Sequence, residues 1–139
     1  MSAAVETEIL LVEDSPDDIA LTLRALSKHH LANRVQVARD GVEAFDYLHN
    51  GNRPKVILLD LKLPRMNGLE VLEQLKSDPE MRSIPVVVLT SSREGPDIEK
   101  AYELGANSYI VKPVDFERFM AAVSEAGLYW LVVNQSPGA

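Results

Sequence analysis

Five polar residues stand directly after short apolar runs, and their types suit a site for a hard cation and a phosphoryl group. Glu13 and Asp14 follow the run at 9–12, Asp60 the run at 56–59, Thr90 the run at 85–89 and Lys112 the run at 108–111. In an open α/β sheet, ligands bind beyond the carboxyl ends of the strands, so these residues converge if the runs are parallel strands. Gathering Glu13, Asp14 and Asp60 is costly through like-charge repulsion unless a cation lies among them. Mg²⁺ prefers oxygen ligands and keeps several waters, which suits Asp14 and Asp60 as direct ligands beside a backbone carbonyl and phosphoryl oxygens.

Asp60 ends the segment VILLD, where its carboxylate can attack a phosphoryl group to give an acyl phosphate. The Lys112 ammonium would offset charge on the equatorial oxygens, and the Thr90 hydroxyl would hydrogen-bond one of them. Lys112 precedes Pro113, which pushes its backbone to an extended conformation. A cis Lys112–Pro113 bond is a candidate device for holding the ammonium toward the pocket.

Each residue also has an ordinary reading. Glu13 and Asp14 can be helix-start acids favoured by the macrodipole, Asp60 a turn former, Thr90 a surface hydroxyl and Lys112 a solvated charge. Five such coincidences at the right strand ends are improbable, and this favours the site. Asp17 and Asp18 lie in a first helical turn, where acids stabilise the helix, and are assigned to that role rather than to the site. His29, His30 and His49 have no second ligand at metal spacing and are assigned no chemistry.

The runs at 9–12, 56–59, 85–89 and 108–111 lack polar alternation, as strands buried on both faces do, whereas 34–38 alternates and fits an edge. Helical spacing covers 16–29, 42–48, 69–76, 96–104 and 115–131. Strand then helix repeats five times, which predicts a doubly wound (βα)5 sandwich around a parallel sheet. Ser15 with Pro16 and Asp18, and Asp40 with Glu43, have N-cap spacing, and Gly105 falls where a left-handed helix end is needed.

Bulk properties narrow the function. A chain of 139 residues, 46% hydrophobic, suits one domain over 1–139, with a core at about 8–125 and an extended C-terminal helix and tail. A net charge of -7 repels nucleic-acid backbones and anionic membranes, so direct nucleic-acid binding is not expected. No cysteine is present, the N-terminus lacks a signal core, and no apolar run approaches the ~20 residues of a membrane span. A cytoplasmic location is the expectation.

The segments LLVEDSPDD, ILLDLKLPRMNG, VVLTSS and GANSYIVKP resemble the successive motifs of the response-regulator receiver family over about residues 8–125. The resemblance implies a flavodoxin-like sheet in the order 2-1-3-4-5. It implies Asp60 as phosphoacceptor, Asp14 as a direct Mg²⁺ ligand, Glu13 as an acid acting through water, and the Lys62 carbonyl as a further ligand. It also implies Thr90 and Tyr109 as a switch pair, in which the hydroxyl moves toward the phosphoryl group and the aromatic turns inward. The segments SPDDIALTLRAL and DGVEAFDYL, with the Trp-containing tail, further resemble small regulators paired with phytochrome-type histidine kinases.

The implied function is that of a stand-alone response regulator in a two-component phosphorelay. It is not an enzyme beyond its own phosphorylation and dephosphorylation; passing the phosphoryl group to a histidine phosphotransfer protein is the alternative. A phosphatase of similar chemistry would want a second acid where Lys62 stands, a flavin carrier would not place EDSPDD after its first strand, and a bare scaffold would not retain every site residue. Lys62 and Ser92 occupy positions that tune phosphoryl lifetime in the family. At the C-terminus, Leu128, Tyr129, Trp130 and the residues to Val133 are apolar all round, more than one helix face can absorb. A homodimer through 115–131, with Phe116, Leu128, Tyr129 and Trp130 at its interface, is expected over a tail folded onto its own domain.

Overall fold

The chain alternates β1 (Ile9–Val12), α1 (Pro16–Ser27), a 3-10 turn (Ala32–Arg34), β2 (Val35–Ala38), α2 (Gly41–His49), β3 (Val56–Leu59), α3 (Gly68–Ser77), β4 (Val86–Thr90), α4 (Gly95–Glu103), β5 (Ser108–Val111) and α5 (Phe116–Leu128). The computed structural model describes residues 7–112, 116–130 and 134, without the side chains of residues 33, 116, 119, 120, 127 and 128. The five strands pair in parallel in the order β2-β1-β3-β4-β5, the flavodoxin-like arrangement. Among the described residues, no helix is long and apolar enough to cross a membrane.

Strand side chains alternate between the two faces of the sheet, and the core divides accordingly. Leu10, Val12, Ile57, Leu59, Val86 and Val88 meet Ala44 and Leu48 of α2, Val71, Leu72 and Leu75 of α3 and Ala101 of α4. Ile9, Leu11, Val56, Leu58, Val87 and Leu89 meet Ile19, Ala25 and Leu26 of α1 and Val123 of α5. Both faces of β1, β3 and β4 are therefore apolar, which is why their sequences do not alternate.

Three details differ from the sequence expectation. β5 is half-buried throughout rather than enclosed, because it is an edge strand with β4 as its one neighbour. β4 runs one residue later than the apolar run, so Thr90 is its last residue rather than the next one. α1 stops at Ser27, short of residue 29: His30 takes a left-handed φ of 58°, and the Leu31 N–H turns back to the Leu26 carbonyl at 3.1 Å.

Side-chain caps fix where α1, α2 and α3 begin. The Asp18 N–H donates to Ser15 Oγ at 3.3 Å, the Glu43 N–H to Asp40 Oδ1 at 2.9 Å, and the Glu70 N–H to Asn67 Oδ1 at 3.0 Å. Gly105 has φ 104°, and the Ala106 N–H closes α4 onto the Ala101 carbonyl at 3.0 Å.

Candidate functional site

The sheet's own hydrogen bonding positions the site. In register, Val12 lies beside both Leu59 and Ala38, so the carboxyl ends of β1 and β3 are level and Glu13 and Asp60 emerge side by side. The ladder continues one step past the strands. The Glu13 N–H donates to the Ala38 carbonyl at 2.9 Å, the Asp60 N–H to Val12 at 3.0 Å, and the Lys112 N–H to Thr90 at 2.6 Å. The backbones of three site residues are thus held by hydrogen bonds to the sheet itself.

Carboxylate oxygens of Glu13, Asp14 and Asp60 all lie within 4.8 Å of one another. Glu13 and Asp60 are buried, at 1% and 5% exposure, whereas Asp14 is exposed at the mouth. The Lys112 ammonium, itself 7% exposed, donates to Glu13 Oε2, to Asp18 Oδ2 at 2.9 Å and to Asp60 Oδ2 at 3.1 Å. The Ser15 N–H donates to the other Glu13 oxygen at 3.2 Å, and the Lys62 N–H to Asp60 Oδ1 at 3.2 Å.

Electrostatics follow from this packing. Burial, with the Asp60 charge adding to it and Lys112 opposing, pushes the Glu13 carboxyl up to about 7. Burial alone would lower the Lys112 ammonium, but its bonds to Glu13 and Asp18 and the charge of Asp60 hold it above the ordinary lysine range. One ammonium stands against several acids, so the pocket has room for more positive charge. An all-oxygen donor set with one solvent-facing carboxylate fits a hard divalent cation that retains water ligands. Asp14, Asp60 and Glu13 would hold it.

The expected switch residues lie at the end of β4 and on its neighbour β5. Thr90 is fully buried, and its Oγ1 accepts from the Ser92 N–H at 3.4 Å. The Tyr109 hydroxyl donates to the Ser92 carbonyl at 3.0 Å, so β5 and the β4–α4 loop are linked through one residue. Burial and the charges of Asp97, Asp60 and Glu94 raise the Tyr109 phenol, against its bond to Ser92. Ser92 Oγ donates to Asp97, and both line a cleft of 210 Å³ with Leu61, Lys62, Asn67 and Leu69.

Some expectations lie elsewhere. The cis Lys112–Pro113 bond involves Pro113, which is outside the described residues, as are the side chains of Phe116 and Leu128. Trp130 packs against the core shared by α1 and α5, while Tyr129 is 46% exposed. Two contacts were not anticipated. Asp18 reaches the Lys112 ammonium, where its place in a first turn had marked it only as a stabiliser of α1. Arg65 pairs with the buried Asp40, joining the β3–α3 loop to the start of α2.

Comparison with known proteins agrees with this fold. Residues 9–124 match the response regulator receiver domain family. The probable methanogenesis regulatory protein FilR2 of Methanothrix harundinacea is 44% identical over 94% of this chain and 87% of its own length. Response regulator Rcp1 of a Synechocystis species is 37% identical over 94% of this chain and 93% of its own length. The Mn²⁺-bound structure of Rcp1 superposes with a TM-score of 0.85, at 36% identity over 94% of this chain and 98% of that one. The phosphorylated cyanobacterial phytochrome response regulator RcpA superposes with a TM-score of 0.87, at 40% identity over 96% of this chain and 99% of that one. The chain therefore belongs to the response regulator receiver domain family, and along nearly its whole length it is like that family's small phytochrome response regulators.

Proposed function

We propose that this chain is a single-domain response regulator of a two-component system, which accepts a phosphoryl group from a histidine kinase onto Asp60 in a Mg²⁺-dependent reaction. The observation that carries this reading is the meeting of Asp60 with Asp14, Glu13 and Lys112 at one sheet edge, with Thr90 ending the strand beside it. An Asp60 oxygen attacks phosphorus of a phosphohistidine, the P–N bond breaks, and the imidazole leaves with the electron pair. Lys112 donates to a phosphoryl oxygen, and Thr90 donates to another after moving toward it. A bound Mg²⁺ supplies the remaining neutralisation of charge on the transferring group. Similarity to RcpA supports a phytochrome-type light sensor as the kinase.

The test is intact mass after incubation with Mg²⁺ and acetyl phosphate. Wild type gains one phosphoryl mass and Asp60→Asn gains none while remaining folded. A labelled Asp60→Asn protein would overturn the acceptor.

The two acids after β1 differ in what they can offer an ion. Both Glu13 oxygens already accept bonds, from Lys112 and from the Ser15 N–H, whereas Asp14 faces solvent. Asp14→Ala is therefore expected to weaken Mg²⁺ binding more than Glu13→Ala, read by fluorescence titration. Equal affinities would refute the ranking.

The signal leaves through surface change, with the Thr90–Tyr109 pair biasing the β4–α4 loop and a homodimer formed through the C-terminal segment 115–131. Exposed Tyr129 beside an apolar C-terminal sequence supports that interface. Light scattering at high concentration should give a dimer mass, and a monomer would count against it.

A further inference from the structure

Four helices of this chain carry an acid at the third helical position: two of those acids fold back on their own helix start, and that of α4, Asp97, accepts from Ser92 Oγ in the loop just before it. Glu43 Oε2 accepts from the Arg39 N–H at 2.9 Å, and Glu70 Oε1 accepts from the Asn67 side-chain amide at 3.0 Å. This is the ordinary use of such an acid, which satisfies donors at the helix start. At α1 the pattern breaks. The Ser15 N–H that Asp18 would cap is already taken by Glu13 Oε1, and Asp18 Oδ2 instead accepts from Lys112 Nζ, 94 residues away.

We propose that Asp18 is a positioning residue for phosphoryl transfer: with Glu13 it anchors the Lys112 ammonium on two points, leaving the third N–H aimed at the phosphoacceptor. An ammonium has three protons, and here three carboxylates accept them. When a phosphoryl oxygen arrives, one of these bonds must be given up. The bond to Asp60 is the longest of the three, and the Asp60 carboxylate is the group that loses its charge on acylation. The proton aimed at Asp60 is thus the one handed to the incoming oxygen, while Glu13 and Asp18 keep the nitrogen in place. A lysine side chain has four rotatable bonds, so without its second anchor the ammonium would swing about Glu13 and lose its aim. Ser15 contributes indirectly, because its cap on the Asp18 N–H fixes the backbone from which the carboxylate reaches out.

This inference rests on the proposed function, so its test carries a readout independent of phosphorylation. Uptake from acetyl phosphate at saturating Mg²⁺ is timed by intact mass, and the Lys112 ammonium is followed by heteronuclear NMR, where a buried, triply bonded NH₃⁺ exchanges slowly. Asp18→Ala is expected to slow uptake about tenfold and to lose the ammonium signal, with Mg²⁺ affinity close to wild type. Asp18→Asn keeps an acceptor oxygen and should restore much of both. Asp17→Ala, the exposed neighbour in the same turn, should match wild type, which separates positioning from general helix-start charge. Should Asp18→Ala fail to fold, Asp18→Ser replaces it. Wild-type uptake and an unchanged ammonium signal in the variant would overturn the role of Asp18. A wild type that takes up no phosphoryl group overturns the functional reading instead, and the ammonium signal alone then decides for or against Asp18.

Discussion

Lys112→Met should lower metal-free stability by about 3 kcal/mol, because removing one partner of a buried ion pair leaves the other charges uncompensated. Here the abandoned partners are Glu13 and Asp60, both nearly inaccessible, with Asp18 at the rim. Methionine fills similar volume, so the loss is electrostatic rather than a cavity. Glu13 limits the damage: burial already pushes its carboxyl up to about 7, and it takes up a proton when the ammonium is gone. The variant should also gain more melting temperature from added Mg²⁺ or Mn²⁺ than wild type does, since a divalent cation among the acids replaces the missing charge. Phosphoryl uptake should fall by about 10²-fold with the loss of a donor to the transferring group. Equal melting temperatures of the two proteins in chelator would sink the electrostatic account.

How far the sequence was legible follows from what each feature depends on. Strand ends were readable because each apolar run gives way to a polar residue, and that places Glu13, Asp14, Asp60, Thr90 and Lys112 at one edge once the strands are parallel. Burial of β5 was misjudged because its residues are those of an inner strand, while its exposure is set by its place in the sheet order. Asp18 was read as a helix stabiliser for a similar reason. An acid in a first turn always has a local explanation, and only the capture of the Ser15 N–H by Glu13 sends it elsewhere. Arg65 and Asp40 pair across 25 residues with no periodic signal to announce them, although Asp40 was legible as a cap.

Gly68 was passed over in the sequence, and it carries the second large effect. A Cβ there would lie 2.2 Å from the Asp60 carbonyl oxygen and 2.5 Å from Leu61 Cα, both backbone atoms of the segment that bears the phosphoacceptor. The Gly68 N–H also donates to the Leu61 carbonyl at 2.8 Å, so α3 starts in direct contact with the end of β3. Between these points the loop closes tightly. The Met66 N–H reaches the Pro64 carbonyl at 2.7 Å around Arg65, whose φ is 66°, and Arg65 is tethered to Asp40. With both ends held, the loop cannot absorb an added methyl by moving outward alone. Gly68→Ala is expected to cost about 1–3 kcal/mol, as overpacking does, and to slow phosphoryl uptake by about 10²-fold through displacement of Asp60. Gly95→Ala is the control, because Gly95 also opens a helix but a Cβ there meets nothing within 4 Å. That variant should be neutral or gain about 0.5 kcal/mol. Thermal melting and timed intact-mass labelling of both variants read the two effects. If Gly68→Ala melts and labels like Gly95→Ala, the loop yields more easily than its contacts imply, and the close packing of α3 on Asp60 is not what fixes the acceptor.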